Sequence, residues 1–348
     1  MLSPERSLAP PEPAEGVRLS PWRPPIADAD RARRDRVMRT IVTAGASLVG
    51  LTLAALLVVL TVKGLSALWP IAPVDPALLA EAGLTAEESA RAQQALSGWE
   101  GLSAGLLRSA RWAPQALDTP SFGALGLMGS TALTTGLAAL IAAPLGVAVA
   151  IYLSAFARPI ERAFARPAIE LLAALPSVLL GLIGVSVLGP AIAKLFGLPS
   201  GLVALNGGLL LALMALPTVI AVAWEALNAV PQTFTEASLA LGADRVTTLW
   251  RVTLPASWRG LVAASLLGLG RALGETMAVL MACGNSEAPP SSLLSPAHAM
   301  TATLALELPG ALRDSAHQRA LFALGLLLLT ISLTNQLVAR RLLRPRAP

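Results

Sequence analysis

The sequence predicts an all-α membrane protein with six transmembrane helices. Only 14% of the 348 residues are charged and 55% are hydrophobic, whereas a soluble domain carries about 25% charged residues. The apolar residues also collect into runs of about 20, the length that a helix needs to cross a bilayer. Composition and run length together argue against a soluble globular protein.

Six apolar runs define the predicted transmembrane helices. In chain order they cover residues 41–62, about 125–153, 171–193, 195–224, about 260–284 and 320–339. Five of the runs contain no charged residue, and the fifth run along the chain contains two. The first run is longer than the apolar part of a signal peptide and has no cleavage site after it, so we expect it to remain in the protein.

The distribution of Arg and Lys predicts that both termini are cytoplasmic. Most of the 26 basic residues fall in segments that this topology places inside the cell. The predicted organisation is a cytoplasmic Pro- and Arg-rich tail (1–40), a first transmembrane helix (41–62), an external loop with amphipathic helices (63–124), a membrane core (125–339) with a cytoplasmic loop (225–259), and a cytoplasmic tail (340–348). Because topology explains the basic charge, we expect lipid and no nucleic acid around this chain.

Residue counts exclude several kinds of site. One Cys and two His are too few for a disulfide framework or a tetrahedral zinc site. The two lysines, Lys63 and Lys194, are followed by Gly and Leu, so no phosphate-binding P-loop is present. The apolar runs hold no Ser/His/Asp, Cys/His or paired-carboxylate set. We therefore expect no catalytic residue, no metal and no cofactor in this chain.

The loop at 225–259 has the pattern of two short helices joined at a glycine. Thr233 and Glu236 have the spacing of a capping box at the start of the first helix. Gly242 is suited to the left-handed conformation that ends it. Asp244 can cap the second helix, and Pro255 is expected to stop it. The alternative interpretation is a plain hairpin that tethers two membrane spans.

This loop resembles the EAA loop of ABC importer permeases. The match consists of Glu236-Ala237-Ser238, then Gly242, then Leu254-Pro255, with Ser238 where the family has Ala. The resemblance implies a MetI-like (type I) permease fold in which the loop couples to a separate ATP-binding subunit, which binds ATP and Mg²⁺. The candidate coupling residues are Glu236, Ala237, Gly242, Ala243 and Asp244.

Two charged residues interrupt the fifth run. Arg271 lies about midway along it, and Glu275 follows four residues later on the same predicted helical face. Placing each at the membrane centre costs about 2.5–3.5 kcal/mol. One explanation is a mutual ion pair that lowers this cost. The other is a substrate path in which the planar guanidinium of Arg271 binds an anion, with Glu275 and the Thr276 hydroxyl beside it.

The sequence from Gly268 to Val279, followed by Gly284 and Asn285, closely resembles the signature of the PstC family of permease subunits in high-affinity phosphate importers. Leu175-Pro176-Ser177-Val178, with Gly181, is also similar to the family's Pro-Ser-Val segment, and this resemblance implies a helix broken at the proline that exposes backbone amide groups to substrate. The resemblance implies five substrate-path candidates: Arg271, Glu275, Thr276, Ser177 and Asn285. It also implies an inner-membrane assembly with a second permease subunit as a heterodimer, two ATP-binding subunits and an external phosphate-binding protein.

Alternatives remain open at this point. One is the sister permease of PstA type, which typically continues with Ala-Pro where this chain has Met277-Ala278. Another is a permease for a different oxyanion, such as molybdate or sulfate. An intramembrane enzyme that acts on lipid would need a catalytic set that the apolar runs lack. A scaffold without transport activity would leave the intramembrane Arg271 unexplained.

Overall fold

The computed structural model describes residues 28–65, 106–114, 121–312 and 315–343. Its helices are α1 Asp28–Leu65, α2 Ala124–Ile151, α3 Pro159–Ala174, α4 Ser177–Ile183, α5 Gly189–Phe196, α6 Ala204–Asn228, α7 Gln232–Ala240, α8 Arg245–Thr248, α9 Leu254–Leu273, α10 Met277–Ala282, α11 Met300–Glu307 and α12 Ala316–Leu343. Strands β1 Trp112–Ala113 and β2 Ser121–Phe122 form one antiparallel pair. The predicted all-α class is confirmed.

Short turns of other helix types continue several of these helices. π-helical turns follow α2, α4 and α8, and a 3-10 turn follows α11; they are Tyr152–Phe156, Gly184–Leu188, Leu249–Thr253 and Leu308–Gly310. The π-helical turn after α8 leads directly into α9, so α8 and α9 form one long helical segment. Pro255 lies directly after the π-helical turn, where the regular α-helical hydrogen-bond pattern is already interrupted, so its missing N–H does not end the helix. The prediction that Pro255 ends a helix is therefore wrong.

Six helical segments among the described residues are long and apolar enough to cross a membrane, as predicted. They are Arg33–Leu65, Ala124–Phe156, Ser177–Phe196, Ala204–Asn228, Arg245–Leu273 and Ala316–Leu343. Four of them differ clearly from the predicted runs. The first begins at Arg33 and not at residue 41, the third at Ser177 and not at 171, the fourth at Ala204 and not at 195, and the fifth covers Arg245–Leu273 and not 260–284. The later starts of the third and fourth and the earlier end of the fifth come from breaks in the helices.

The chain divides into two compact units, Met1–Leu57 and Val58–Pro348. The described residues of the first unit all belong to α1, whose apolar side chains face outward; Leu51 and Leu56 are 69% and 67% exposed. A helix that is apolar on its exposed surface is stable in a bilayer and not in water. Of the predicted tail at 1–40, residues 1–27 lie outside the described residues, and the rest are helical.

The core of the second unit is built from closely packed helices with small residues at their contacts. A Cβ at Gly146 of α2 would lie 2.7 Å from Val219 of α6, and a Cβ at Gly268 of α9 would collide with the same valine. Val219 is 1% exposed. Glycine is therefore required at both positions for the helices to approach, as is common in membrane helix packing.

The carboxyl end of the predicted external loop is anchored to the second unit. Buried Trp112 of β1 packs edge-on against Phe122 of β2, and its indole N–H donates to both carboxylate oxygens of Glu307, at 3.0 and 2.9 Å. His317 Nε2 lies 2.7 Å from Glu307 Oε2. The amphipathic helices predicted for the loop fall mainly on residues 66–105, which lie outside the described residues.

Candidate functional site

The fifth membrane helix is broken at the predicted substrate path. α9 ends at Leu273, α10 begins at Met277, and the three residues between them are not helical. The prediction of one helix through 260–284 is therefore wrong. Gly274 caps the end of α9, as expected for a residue with low helix propensity. Arg271 consequently lies in the last turn of α9 and not at mid-span, a position where the helix dipole favours a cation.

The third membrane span begins at a second break. α3 ends at Ala174, Leu175 and Pro176 are extended with ψ of 127° and 134°, and α4 begins at Ser177. Proline disfavours the helical conformation in the residue before it and donates no hydrogen bond, so the helix cannot run through. The Leu179 and Leu180 N–H groups donate to the Pro176 carbonyl, so the amide groups without an acceptor in the helix are those of Ser177 and Val178.

The two breaks lie next to each other. The guanidinium Nη2 of Arg271 donates to the Ala173 carbonyl at 3.4 Å, which joins the end of α9 to the end of α3. The following helices also pack together: a Cβ at Gly181 of α4 would lie 2.8 Å from Met281 Sδ and 3.3 Å from Ala278 Cα of α10. The fold thus places an arginine beside a break that exposes backbone amide groups.

Arg271 and Glu275 do not share a helical face, because the chain leaves the helix between them. In the part of the chain that the structure describes, no ion pair joins them. The Glu275 carboxylate accepts the Thr276 N–H at 3.2 Å instead. The Arg271 side chain is exposed and makes one long bond to a carbonyl. Its remaining N–H groups can therefore bind an anion.

The other two predicted substrate-path residues lie in different places. Ser177 is half-buried and is the first residue of α4, directly at the second break. Asn285 lies beyond the far end of α10, roughly 9 Å of helix away from the first break. Its φ is +46° and its Nδ2 donates to the Leu280 carbonyl at 2.7 Å, which caps α10. Its Oδ1 is buried without a partner among the described residues.

Sequence reasoning missed one residue at the first break. The hydroxyl of Thr301, in α11, donates to the main-chain carbonyl of Glu275 at 2.8 Å. Thr301 falls in the segment between the fifth and sixth predicted spans, where no helix was expected. The contact joins residues 26 positions apart, and no periodic pattern in the sequence indicates it.

The two short helices joined at a glycine that were predicted for the loop at 225–259 are present as α7 and α8, and we call them and the turn between them the elbow. Besides Pro255, the prediction differs from the structure at the start of the first helix. Gly242 has a φ of +85° and ends the first short helix, as predicted. Asp244 caps the second through its Oδ1, which accepts the Thr247 N–H at 3.1 Å. The predicted capping box is wrong: α7 begins at Gln232 after Pro231, and no side chain caps it. Proline supplies the turn there by its fixed φ.

The elbow presents both charged and apolar side chains to its surroundings. Glu236 and Ala237 are exposed, and Ala243 is half-buried. Ser238 and Thr248 share a hydrogen bond of 2.9 Å that holds the two arms of the elbow together. Several large apolar residues are exposed in or beside the elbow, among them Phe234 at 53%, Leu241 at 90% and Trp250 at 64%. Clustered exposed apolar residues of this kind are typical of a protein interface.

Hydrogen bonds stabilise the charged form of Asp244. The hydrogen bonds from Thr247 lower the pKa of this carboxyl below its usual value. The cap is therefore ionised at neutral pH, and a negative charge at a helix N-terminus is favourable. A cavity of about 310 Å³ adjoins the elbow, with Asn228, Gln232 and Arg245 among its lining residues.

A family model described as binding-protein-dependent transport system inner membrane component matches residues 142–344. The probable ABC transporter permease protein YqgH of Bacillus subtilis is 37% identical, over 68% of this chain and 76% of its own length. The phosphate transport system permease protein PstC of Mesorhizobium japonicum is 34% identical, over 70% of this chain and 80% of its own. PstC of Haemophilus influenzae is 36% identical, over 64% and 76%.

Among solved structures, an inward-facing MetNI methionine ABC transporter chain aligns with a TM-score of 0.46 and 18% identity, over 64% of this chain and 95% of that chain. The segment matched by the family model begins inside α2 and extends to the end of α12. It therefore includes both helix breaks and the elbow, and it leaves out α1 and the β1–β2 pair.

Proposed function

The chain belongs to the family of binding-protein-dependent transport system inner membrane components, and we propose that it moves inorganic phosphate across the inner membrane as one permease subunit of an ATP-driven importer. It is a multi-pass membrane protein of the transport permease class. Its role is to form part of a path for substrate, and the energy is supplied by another subunit.

One observation carries the proposal: an exposed arginine lies where the break after α9 meets the break at which the third membrane span begins. Breaks of this kind in a transporter offer free backbone groups to substrate while lipid-facing backbone stays satisfied. Arg271 adds a permanent positive charge there with a fork geometry that fits oxyanions. Ser177 and Thr276 add hydroxyl groups at the two breaks. A tetrahedral anion with several acceptor oxygens suits this set of donors.

The names of the similar proteins favour phosphate as the oxyanion. Several of the similar proteins are named phosphate transport system permease protein PstC, at 33–36% identity. The string from Gly268 to Val279 also resembles the PstC signature and differs from the PstA pattern at Met277-Ala278. We therefore assign this chain to the PstC-like position in a heterodimer with a second permease subunit.

The elbow supports coupling to an ATPase. Its open glycine turn and its exposed apolar residues Phe234 and Leu241 form a surface that a partner can cover. We propose that two ATP-binding subunits dock there, bind ATP and Mg²⁺, and drive reorientation of the spans around the anion. An external phosphate-binding protein delivers the substrate on the opposite side. This arrangement requires both termini in the cytoplasm, where the Arg count of the predicted topology also puts them.

The test is phosphate uptake in a bacterial strain that lacks its own high-affinity phosphate permease, complemented with the wild-type chain and its partner subunits. We expect the wild type to restore uptake and Arg271→Gln to reduce it at least about tenfold, because a charge-assisted hydrogen bond contributes about 1.5–3 kcal/mol. Arg271→Lys keeps the charge but loses the fork, so we expect intermediate uptake.

Membrane abundance of each variant, measured by immunoblot, provides the control. Wild-type uptake by Arg271→Gln would show that this residue does not contact the substrate. Excess molybdate or sulfate should leave phosphate uptake unchanged, and competition as strong as that of unlabelled phosphate would reassign the substrate. Co-purification of the second permease and the ATPase with the tagged chain tests the assembly.

A further inference from the structure

We propose that Thr301 is a positioning residue that sets the geometry of the substrate site by holding the break between α9 and α10. The proposal rests on the proposed function and deepens it, since Thr301 lies outside the motif that contains Arg271. Its hydroxyl donates to the Glu275 carbonyl at 2.8 Å, and the residue is 7% exposed. A buried hydrogen bond of this length is well formed.

The non-helical segment needs a contact of this kind. Glu275 lies between two helices, so its carbonyl has no place in a helical hydrogen-bond ladder. The other hydrogen bonds of the segment are local: the Glu275 N–H donates to Ala272 at 3.3 Å, and its carboxylate accepts the Thr276 N–H. Local bonds move together with the segment. The bond from Thr301 ties the segment to a separate helix.

The helix that carries Thr301 is itself fixed to α2. The N-cap of α11 is Ala299, whose methyl side chain cannot accept a hydrogen bond from the first amide groups. Hydroxyl groups of α2 hold this end of the helix instead: Thr131 Oγ1 accepts the N–H of Met300, the first helical residue, at 3.0 Å, and Ser130 Oγ accepts the N–H of His298, just before the cap, at 3.3 Å. Both hydroxyl groups are buried. α11 is therefore a short strut between α2 and the helix break.

The strut fixes the positions of the groups near the break that are proposed to bind phosphate. Thr276 directly follows Glu275, whose carbonyl Thr301 holds, and Arg271 lies in the last turn of α9, before the break. A binding site functions only when its groups are held to within about 0.5 Å of the productive geometry. Loss of the Thr301 hydroxyl should therefore weaken phosphate binding without removing any group that touches phosphate.

The chain offers a matched control on the same helix. Thr303 is fully buried, but its hydroxyl donates to the Ala299 carbonyl of its own helix at 3.0 Å. Thr303→Val makes the same chemical change as Thr301→Val, two residues away, without touching the break. Thr301→Ser restores the hydroxyl and tests rescue.

The first readout is the concentration dependence of phosphate uptake by the assembled transporter in cells. We expect Thr301→Val to raise KM about two- to tenfold, the range for one hydrogen bond, with Vmax within about twofold of wild type. Thr301→Ser should restore KM, and Thr303→Val should leave it unchanged. A purely structural role would lower the number of working transporters and hence Vmax alone. Equal KM for the two valine variants overturns the proposal.

The second readout does not depend on the substrate. Gly274→Cys introduces an accessible thiol at the break, because Gly274 is exposed and a Cβ there has its nearest neighbour at 3.7 Å. Cys283, the single native cysteine, is fully buried. In membrane vesicles with the assembled transporter, we expect Thr301→Val to accelerate maleimide labelling of this thiol several-fold and Thr303→Val to leave it unchanged.

The two readouts separate the two proposals. If the wild type takes up no phosphate, the proposed function fails, and the labelling rates still decide the role of Thr301. If the wild type takes up phosphate and Thr301→Val has the same KM as Thr303→Val, the positioning role fails alone, whatever the labelling rate.

Discussion

Two joints between helices carry the proposed function of this chain, and they differ in what surrounds them. At the break after α9, the segment is held by the Thr301 hydroxyl, and Gly181 packs tightly against α10 nearby. At the elbow, Gly242 has open space around it, with no heavy atom within 4 Å of an added Cβ. The first joint is tied to other helices of the chain, although Gly274 within it is exposed, and we call it the enclosed joint. The elbow has open space around its glycine, and we call it the open joint.

This difference matches the two proposed roles. A site that binds a small anion must hold its ligand groups in place before the anion arrives, so contacts within the chain surround it. A surface that receives a partner must stay uncovered until the partner binds, so its apolar residues remain exposed. The backbone differs accordingly: Gly274 has an ordinary φ of −86°, whereas Gly242 needs a φ of +85° to turn the chain.

The largest effect is expected from Gly242→Pro. Proline fixes φ near −65° and cannot reach +85°, and it also removes the N–H that donates to the Leu239 carbonyl at 2.9 Å. We expect phosphate uptake to fall at least about tenfold and phosphate-dependent ATP hydrolysis by the purified complex to be lost. Normal uptake by a variant that still co-purifies with the ATPase would exclude the elbow as the coupling element.

Gly242→Ala is the graded control for this prediction. Its Cβ meets no neighbour, so its cost comes only from the left-handed backbone, about 1 kcal/mol. Uptake should therefore stay close to wild type. A loss as large as that of the proline variant would show that the open space around Gly242 is filled by a partner in the assembled transporter.

A middle-sized effect is expected at the enclosed joint. Gly181→Val adds three carbons against Met281 and Ala278, and such overpacking costs about 1–3 kcal/mol. We expect α4 to move away from α10, which lowers both uptake and the thermal unfolding temperature of the complex. Gly129→Val on α2 is the matched control, because Gly129 is exposed with no atom within 4 Å of its added Cβ. Equal effects of the two substitutions would contradict the packing role of Gly181.

The sequence predicts the open joint better than the enclosed one. Gly242 and Asp244 act through their own backbone and their immediate neighbours, so residue type and spacing are sufficient to assign them. Six apolar runs likewise predict six spans, because membrane thickness sets their length. Hydropathy does not locate breaks within a run, and the predicted helix through Arg271 and Glu275 is wrong for that reason.

The enclosed joint depends on contacts between residues far apart in the sequence. Thr301 reaches Glu275 only because α11 folds back against α2. The carbonyl of Ala173 reaches Arg271 only because two separate breaks meet. Neither contact leaves a pattern in residue spacing, since a backbone carbonyl is present at every position. The arginine could be predicted from its charge and the break at Pro176 from its proline, whereas the contact between the two could not.

The smallest effect is expected from the cap of the open joint. Thr247 lowers the pKa of Asp244 in the folded protein below the ordinary value of 3.8. The stabilisation by the charged cap is therefore fully present above that ordinary value and is lost as pH falls through the lower, folded-state pKa. Amide exchange at Thr247, corrected for its intrinsic rate, should show constant protection from neutral pH to about pH 5 and weaker protection only in stronger acid.

Asp244→Asn, which caps without titrating, should remove this pH dependence, and Asp244→Ala should weaken protection at every pH. Because the elbow is open, we expect the same loss to spread no further than α8; loss of protection at the enclosed break after α9 would show that the two joints are not independent.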